Sequence, residues 1–184
     1  MKVAFLDRDG VINKEINYLH KINDFQYADN AVKGMRRLQD LGYKIIIVTN
    51  QAGIAKGIFS EVDYHNLTKW YLSDLKNKGI DIIDVFYCPH HPNGEVDGYA
   101  VSCQCRKPCP GMILDAIKKY RIDAKCSLVI GDKLSDVEAG KRAGLSLLYL
   151  VRTGHILPDS IPEQIVVSNN ILDVTKKLRH RTSL

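Results

Sequence analysis

Residues 3–10 read VAFLDRDG: four apolar residues run straight into Asp7, Arg8, Asp9 and Gly10. A strand-length apolar run that ends in two carboxylates at i and i+2 is electrostatically costly. Like charges at close range raise each other's pKa unless a positive group compensates. For oxygen donors Mg²⁺ is the usual compensation. In extended chain, residues two apart project to the same side, so both carboxyls can address one centre. Taken alone, the same residues would also suit an Asx turn followed by a surface acid.

Outward from this strand the same alternation repeats. Lys44–Thr49, Ile82–Tyr87, Ser127–Gly131 and Leu147–Val151 read as further strands, with a short sixth at Ile165–Val167. Asn30–Leu41, Ser60–Lys78, Gly111–Tyr120, Ser135–Ala143 and Asn170–His180 read as helices between them. Gly42, Gly79 and Gly144 stand just past helix ends, Ser60 suits an N-cap and Pro110 a first turn. The pattern predicts an α/β fold, a doubly wound, mainly parallel sheet with helices on both faces. The length, 184 residues, suits one domain over 1–184. Two connections are unusually long, from Gly10 to about Asp29 and from Cys88 to Cys109, and long loops in a compact domain are usually functional.

Composition excludes several classes. Hydrophobic residues are 45% and charged residues 26%, as in soluble globular chains. No apolar run approaches a membrane span. The chain reaches its acidic cluster at once, without room for a signal peptide, so the expected compartment is the cytoplasm, with reduced cysteines. Formal net charge is +5, but KKLRHR at 176–181 holds four of the 26 basic residues. Without it, 22 basic residues face 21 acids, so the excess is a tail (about 170–184) and not a nucleic-acid face.

In an open α/β sheet, ligands bind beyond the carboxyl ends of the strands. Besides Asp7 and Asp9, those ends carry Thr49 in IIIVTNQAG and Asp132 in LVIGDKLSD, with Asp136 in the first turn of the next helix. Asp136 also suits the helix dipole. Residues 88–105 pack Cys88, His90, His91, Cys103 and Cys105 into 18 positions, directly before Arg106 and Lys107. Cys88-x-His90 and Cys103-x-Cys105 are two close ligand pairs 12 residues apart. Cys₃His is a standard closed structural zinc set, which leaves no position for catalysis; His91 and Cys109 are spare candidates. The plainer alternative is buried cysteines beside a surface histidine pair.

Asp7-Arg-Asp9-Gly10, Thr49, Lys107 and Gly131-Asp132, in this order, resemble the haloacid dehalogenase-like phosphatase superfamily. The resemblance implies a Rossmann-like core without a large cap domain and with a zinc-braced loop insertion. It implies Asp7 as nucleophile through an aspartyl-phosphate, Asp9 as acid/base, and Thr49 and Lys107 on the transferring phosphoryl oxygens. Mg²⁺ would be held by Asp7, Asp132 and Asp9, the last through its main-chain carbonyl, with Asp136 behind them.

The stretches CPHHP…CQCRKP…PGM, TNQAGIAKG, GDKLSD and VRTG narrow the resemblance to the zinc-loop phosphatases of heptose bisphosphates. That implies removal of the 7-phosphate of D-glycero-D-manno-heptose 1,7-bisphosphate, feeding nucleotide-activated heptose for lipopolysaccharide core or other surface glycans. It implies substrate contacts from Arg8, Glu15, Ile16, Asn17 and Tyr18. Asn50, Gln51, Ala52, Arg106 and Lys133 would add to them. Ala52 stands where the TNQSG form has Ser, so a contact there would be made by the main chain. The expected partner is the small sugar bisphosphate alone, without nucleic acid or membrane, and the expected state is a monomer.

Competing readings are weaker in identifiable ways. Histidinol-phosphate phosphatases share the catalytic groups but have a shorter loop between the metal pairs. A relative acting on DNA 3′-phosphates would need a more basic core. A receiver domain puts its phospho-acceptor after strand 3, where this chain has Tyr87 and Cys88, and a zinc-ribbon module would not need the aspartates. The anomer of the 1-phosphate is left open by the sequence.

Overall fold

The computed structural model describes residues 1–181, with side chains to Leu178. Residues 182–184, the end of the basic tail, lie outside the described residues. Six strands form one parallel sheet: β1 (Val3–Leu6), β2 (Lys44–Asn50), β3 (Ile82–Cys88), β4 (Leu128–Gly131), β5 (Leu147–Val151) and β6 (Ile165–Ser168). The helices are α1 (Ala31–Asp40), α2 (Ala52–Ala55), α3 (Glu61–Asn77), α4 (Gly111–Tyr120), α5 (Leu134–Arg142) and α6 (Ile171–Arg181). The expected elements are all present, with ends shifted by a residue or so. The sequence reading missed α2 and a turn of 3₁₀ helix at Ile22–Asp24, both too short to show a period.

The sheet order is β3-β2-β1-β4-β5-β6. The chain winds outward from β1 to β3, then returns to lay β4 beside β1 and winds the other way. The carboxyl ends of β1 and β4 therefore flank the topological switch point, where such sheets bind ligands. Leu6 pairs with Ile130, and the Asp7 N–H donates to the Ile130 carbonyl at 3.0 Å, which brings Asp7 and Asp132 to the same edge.

The central strands β1 and β4 are apolar and buried throughout because both faces are covered. Ala4, Leu6, Ile45, Ile47, Ile130 and Tyr149 pack under α1, α3 and α6. The alternate residues Val3, Phe5, Ile46, Val48, Val129 and Leu150 pack under α4 and α5. Ser60 caps α3 reciprocally: its hydroxyl accepts from the Asp63 N–H, and the Asp63 carboxylate accepts from the Ser60 N–H at 2.9 Å. No helix among the described residues is long and apolar enough to cross a membrane.

The α1–α6 contact depends on Gly34. A Cβ there would lie 2.6 Å from Ile171 Cγ2 and 2.7 Å from the Leu172 nitrogen. Gly34→Ala should therefore destabilise the protein by about 1–2 kcal/mol, because the overpacking outweighs the better helix propensity. Urea denaturation checks this; an unchanged or raised midpoint would mean that the two helices separate freely.

Candidate active site

Asp7 leaves β1 on the α4/α5 side of the sheet, the side of Val3 and Phe5. Its Oδ1 accepts from the Arg8 N–H at 2.7 Å and from Lys107 Nζ at 3.0 Å, and its Oδ2 carries no hydrogen bond among the described residues. Burial raises the Asp7 pKa well above the usual carboxylate range. Lys107 opposes that shift, while Asp136, Asp132 and Asp9 add to it.

Lys107 is buried between two carboxylates, 3.0 Å from Asp7 and 2.6 Å from Asp136, and donates to the Val48 carbonyl at 2.8 Å. Burial alone would lower its pKa, but Asp136 and Asp7 hold it above the ordinary lysine value, so it stays charged. Its backbone is fixed by Asn50, whose Oδ1 accepts the Lys107 N–H at 3.0 Å while its Nδ2 donates to the Lys107 carbonyl at 3.1 Å. Asp136 caps α5 with its other oxygen, accepting the Lys133 N–H at 2.9 Å. Asn50 borders the cavity, but its side-chain amide is committed to Lys107.

Arg8 corrects the sequence reading. Strand alternation turns it to the opposite face from Asp7, where it is 1% exposed and electrostatically coupled to Tyr71 and Tyr64 of α3. Its guanidinium grips both oxygens of Asp9, with Nη2 at 2.9 Å, and donates to the Leu19 carbonyl at 3.0 Å. Its side chain does not line the cavity; it grips Asp9 from the other face instead. Asp9 also accepts from Asn13 at 2.9 Å and Gln51 at 3.1 Å. The Gln51 amide further donates to the buried Thr49 hydroxyl at 2.8 Å, which keeps Thr49 beneath the cavity floor.

Asp132 is buried at the tip of β4. A Cβ at Gly10 or Gly154 would run into its carboxylate, so both glycines are needed for the approach. Its Oδ2 accepts the His155 N–H at 2.9 Å and lies 2.6 Å from His155 Nδ1, whereas Oδ1 is buried without a partner. Carboxylate oxygens of Asp7, Asp132 and Asp136 lie within 4.8 Å of one another. Three acids, one lysine and an orphaned carboxylate oxygen fit a hard divalent cation. The Asp9 carboxylate is not in that cluster, since Arg8 holds it.

A cavity of about 450 Å³ opens over this edge. Glu15, Asn17, Tyr18, Ala52, Arg106 and Lys133 line it, as expected. Ile16 does not, and is 47% exposed. Lys56, Ser135 and His155 also line it and were missed, although GIAKG and VRTGH run on from stretches already singled out.

The thiol cluster forms as expected. Cys88 Sγ lies 3.5 Å from Cys103 and 3.1 Å from Cys105, Cys103 and Cys105 are 3.2 Å apart, and His90 Nδ1 is 3.4 Å from Cys105. Those spacings are far beyond a disulfide of about 2.05 Å. They fall somewhat inside the roughly 3.7 Å edge of a tetrahedral thiolate site. Burial raises the Cys88 thiol. For Cys103, hydrogen bonds from Cys105, the Arg106 backbone and Cys88 outweigh burial and bring it down to about 7. Cys109 and His91 stay outside the cluster.

The loop carrying these ligands is tied down elsewhere. Glu61 accepts from Tyr87 at 2.6 Å and Tyr99 at 2.7 Å, and the Ala55 carbonyl accepts the Glu95 and Val96 N–H groups at 2.7 and 3.0 Å.

A family model described as HAD-hydrolase-like matches residues 104–174. The chain is 57% identical, over 96% of both sequences, to the D-glycero-alpha-D-manno-heptose-1,7-bisphosphate 7-phosphatase of Photorhabdus laumondii. It is 42% identical to that organism's D-glycero-beta-D-manno-heptose-1,7-bisphosphate 7-phosphatase, over 96% of this chain and 94% of the relative. The crystal structure of D,D-heptose 1,7-bisphosphate phosphatase from B. bronchiseptica, complexed with magnesium and phosphate, superposes with a TM-score of 0.83 at 28% identity, over 98% and 99% of the two chains. The aspartates at the switch point, the buried lysine and the Cys₃His loop thus sit in a chain that belongs to the HAD-like heptose-1,7-bisphosphate 7-phosphatase family.

Proposed function

We propose that this phosphoric monoester hydrolase removes the 7-phosphate of D-glycero-α-D-manno-heptose 1,7-bisphosphate and leaves the 1-phosphate in place. The observation that carries the chemistry is the Asp7–Lys107–Asp136 ion cluster beside Asp132 at the switch point. The preference for the α anomer rests on 57% against 42% identity to two relatives from one organism whose names differ in the anomer. We place the reaction in the cytoplasm, within nucleotide-activated heptose synthesis, and read the chain as one monomeric domain.

Two metals belong to this reading. Mg²⁺ would be held by the Asp7 carboxylate, Asp132 Oδ1 and the Asp9 main-chain carbonyl; when bound, it would neutralise charge on the transferring phosphoryl group. Zn²⁺ on Cys88, His90, Cys103 and Cys105 would brace the loop that delivers Arg106 and Lys107.

The protein's own groups divide the work. Asp7 Oδ2 attacks phosphorus, the bond to the 7-oxygen breaks, and Asp9 gives that oxygen its proton. The products of this half are heptose 1-phosphate and an aspartyl-phosphate on Asp7. Asp9 then takes a proton from water, whose oxygen attacks phosphorus and frees Asp7 and inorganic phosphate. Arg8, Asn13 and Gln51 hold the Asp9 carboxyl in place for this second half. For the first, its carboxyl must turn from Gln51 toward the leaving oxygen. The same movement of Gln51 would free the Thr49 hydroxyl to hold a phosphoryl oxygen beside Lys107.

Phosphate release with Mg²⁺ should show a higher kcat/KM for the α bisphosphate than for the β anomer or for histidinol phosphate; a preference for histidinol phosphate would overturn the substrate assignment. Asp7→Asn should lower kcat by about four orders of magnitude or more. It should leave the fold intact, because it removes a carboxylate that burial already disfavours. Elemental analysis should find one zinc per chain, and stripping it should lower the melting temperature and raise KM. A metal-free protein of unchanged stability would remove zinc from this account.

A further inference from the structure

We infer that Lys56 and His91 complete a second anion subsite in the active cavity, one that grips the phosphate the enzyme does not cleave. The inference rests on the bisphosphate reading above and goes beyond it in naming the residues that select for two phosphates. At the floor of the cavity Lys107 is already paired, with Asp7 and Asp136. The wall is different. Lys56, Arg106 and Lys133 line the same cavity and form no ion pair among the described residues. A cluster of uncompensated cations in a concave site is an anion site without its anion.

Lys56 is fixed rather than free. Its N–H closes the α2 turn on Ala52 at 3.0 Å, and its Nζ donates to the Tyr18 hydroxyl at 2.8 Å. The preceding residue, Ala55, accepts two backbone hydrogen bonds from Glu95 and Val96, so the metal-binding loop holds the lysine's stem in place.

His91 is set by the same loop. Its Nδ1 accepts the Asn93 N–H at 3.1 Å, which requires the ring proton to sit on Nε2. That N–H is left for a ligand in the cavity. Arg106 Nη1 is tethered to the neighbouring His90 carbonyl at 3.4 Å, which keeps the guanidinium near His91 in the cavity wall. Lys56 joins them there from the end of α2. A phosphate dianion has oxygens enough for all three, and charge-assisted bonds of this kind are the strong ones. A substrate with a phosphate at each end would then be held at Lys107 and at Lys56 together, which aligns the first for attack.

The test compares kcat/KM for heptose 1,7-bisphosphate and for heptose 7-phosphate, which lacks only the distal group. Wild type should prefer the bisphosphate. In Lys56→Met the ratio of the two values should fall about tenfold, mainly through KM for the bisphosphate. Lys56→Arg should recover most of it. Lys56→Gln, which can still bond Tyr18 but lacks the charge, should behave like Lys56→Met. His91→Ala should lower the ratio several-fold with the loop metal still bound at one equivalent. If the Lys56 variants lower both kcat/KM values in proportion, the residue only shapes the cavity and the inference is overturned. If wild type itself shows no preference for the bisphosphate, the substrate reading fails and takes this subsite with it.

Discussion

A single buried ammonium holds the site together. Lys107 enters the sheet edge from the loop after β3, loses nearly all contact with water, and meets Asp7, Asp136 and a strand carbonyl. Taking one charge out of water costs several kcal/mol, and removing either partner of a buried pair leaves the other stranded. Here the lysine compensates two carboxylates at once. Without it, Asp7, Asp132 and Asp136 would face one another across a few ångströms at the ends of β1 and β4 with no cation between them.

That arrangement explains why so much of the molecule is devoted to one residue's backbone. Asn50, at the end of β2, closes two hydrogen bonds on the Lys107 peptide groups. The Cys₃His cluster ends two residues earlier, at Cys105. Glu61 and Ala55 anchor the far part of the loop to α3 and α2. A loop of some twenty residues would otherwise lack a core of its own. Cross-links at both ends turn it into a rigid arm, and the rigid arm fixes where Arg106, Lys107 and His91 can be.

The fold was legible because each strand is buried on both faces and each helix is punctuated. VAFL and LLYLV are apolar at every position and KIIIVT at its four central ones, and Gly42, Gly79 and Gly144 adopt the positive φ that ends a helix. The four-residue helix at 52–55 left no such mark. Among site residues, Asp7, Asp9, Thr49, Lys107 and Asp132 do gather at one edge, but their roles could be misjudged. Arg8 sits between Asp7 and Asp9 in the chain and on the opposite side of the sheet from Asp7 in space. A strand's period of two already contained that answer. The pairing of His155 with Asp132 joins residues 23 positions apart and carries no signature in either neighbourhood.

The sequence by itself determined the parallel α/β sheet, the aspartates at its strand ends and the clustering of the Cys and His pairs, because these are properties of short windows: apolar runs, i and i+2 carboxylates, C-x-H and C-x-C. Only the tertiary structure decided which oxygen of each aspartate is free, that Asn50 serves Lys107, and that Lys56 faces the same cavity as Arg106. Those facts depend on the strand order, which sets β1 against β4 and brings the loop after β3 back over β2. No window of sequence encodes the distance between groups that meet only once the sheet has closed.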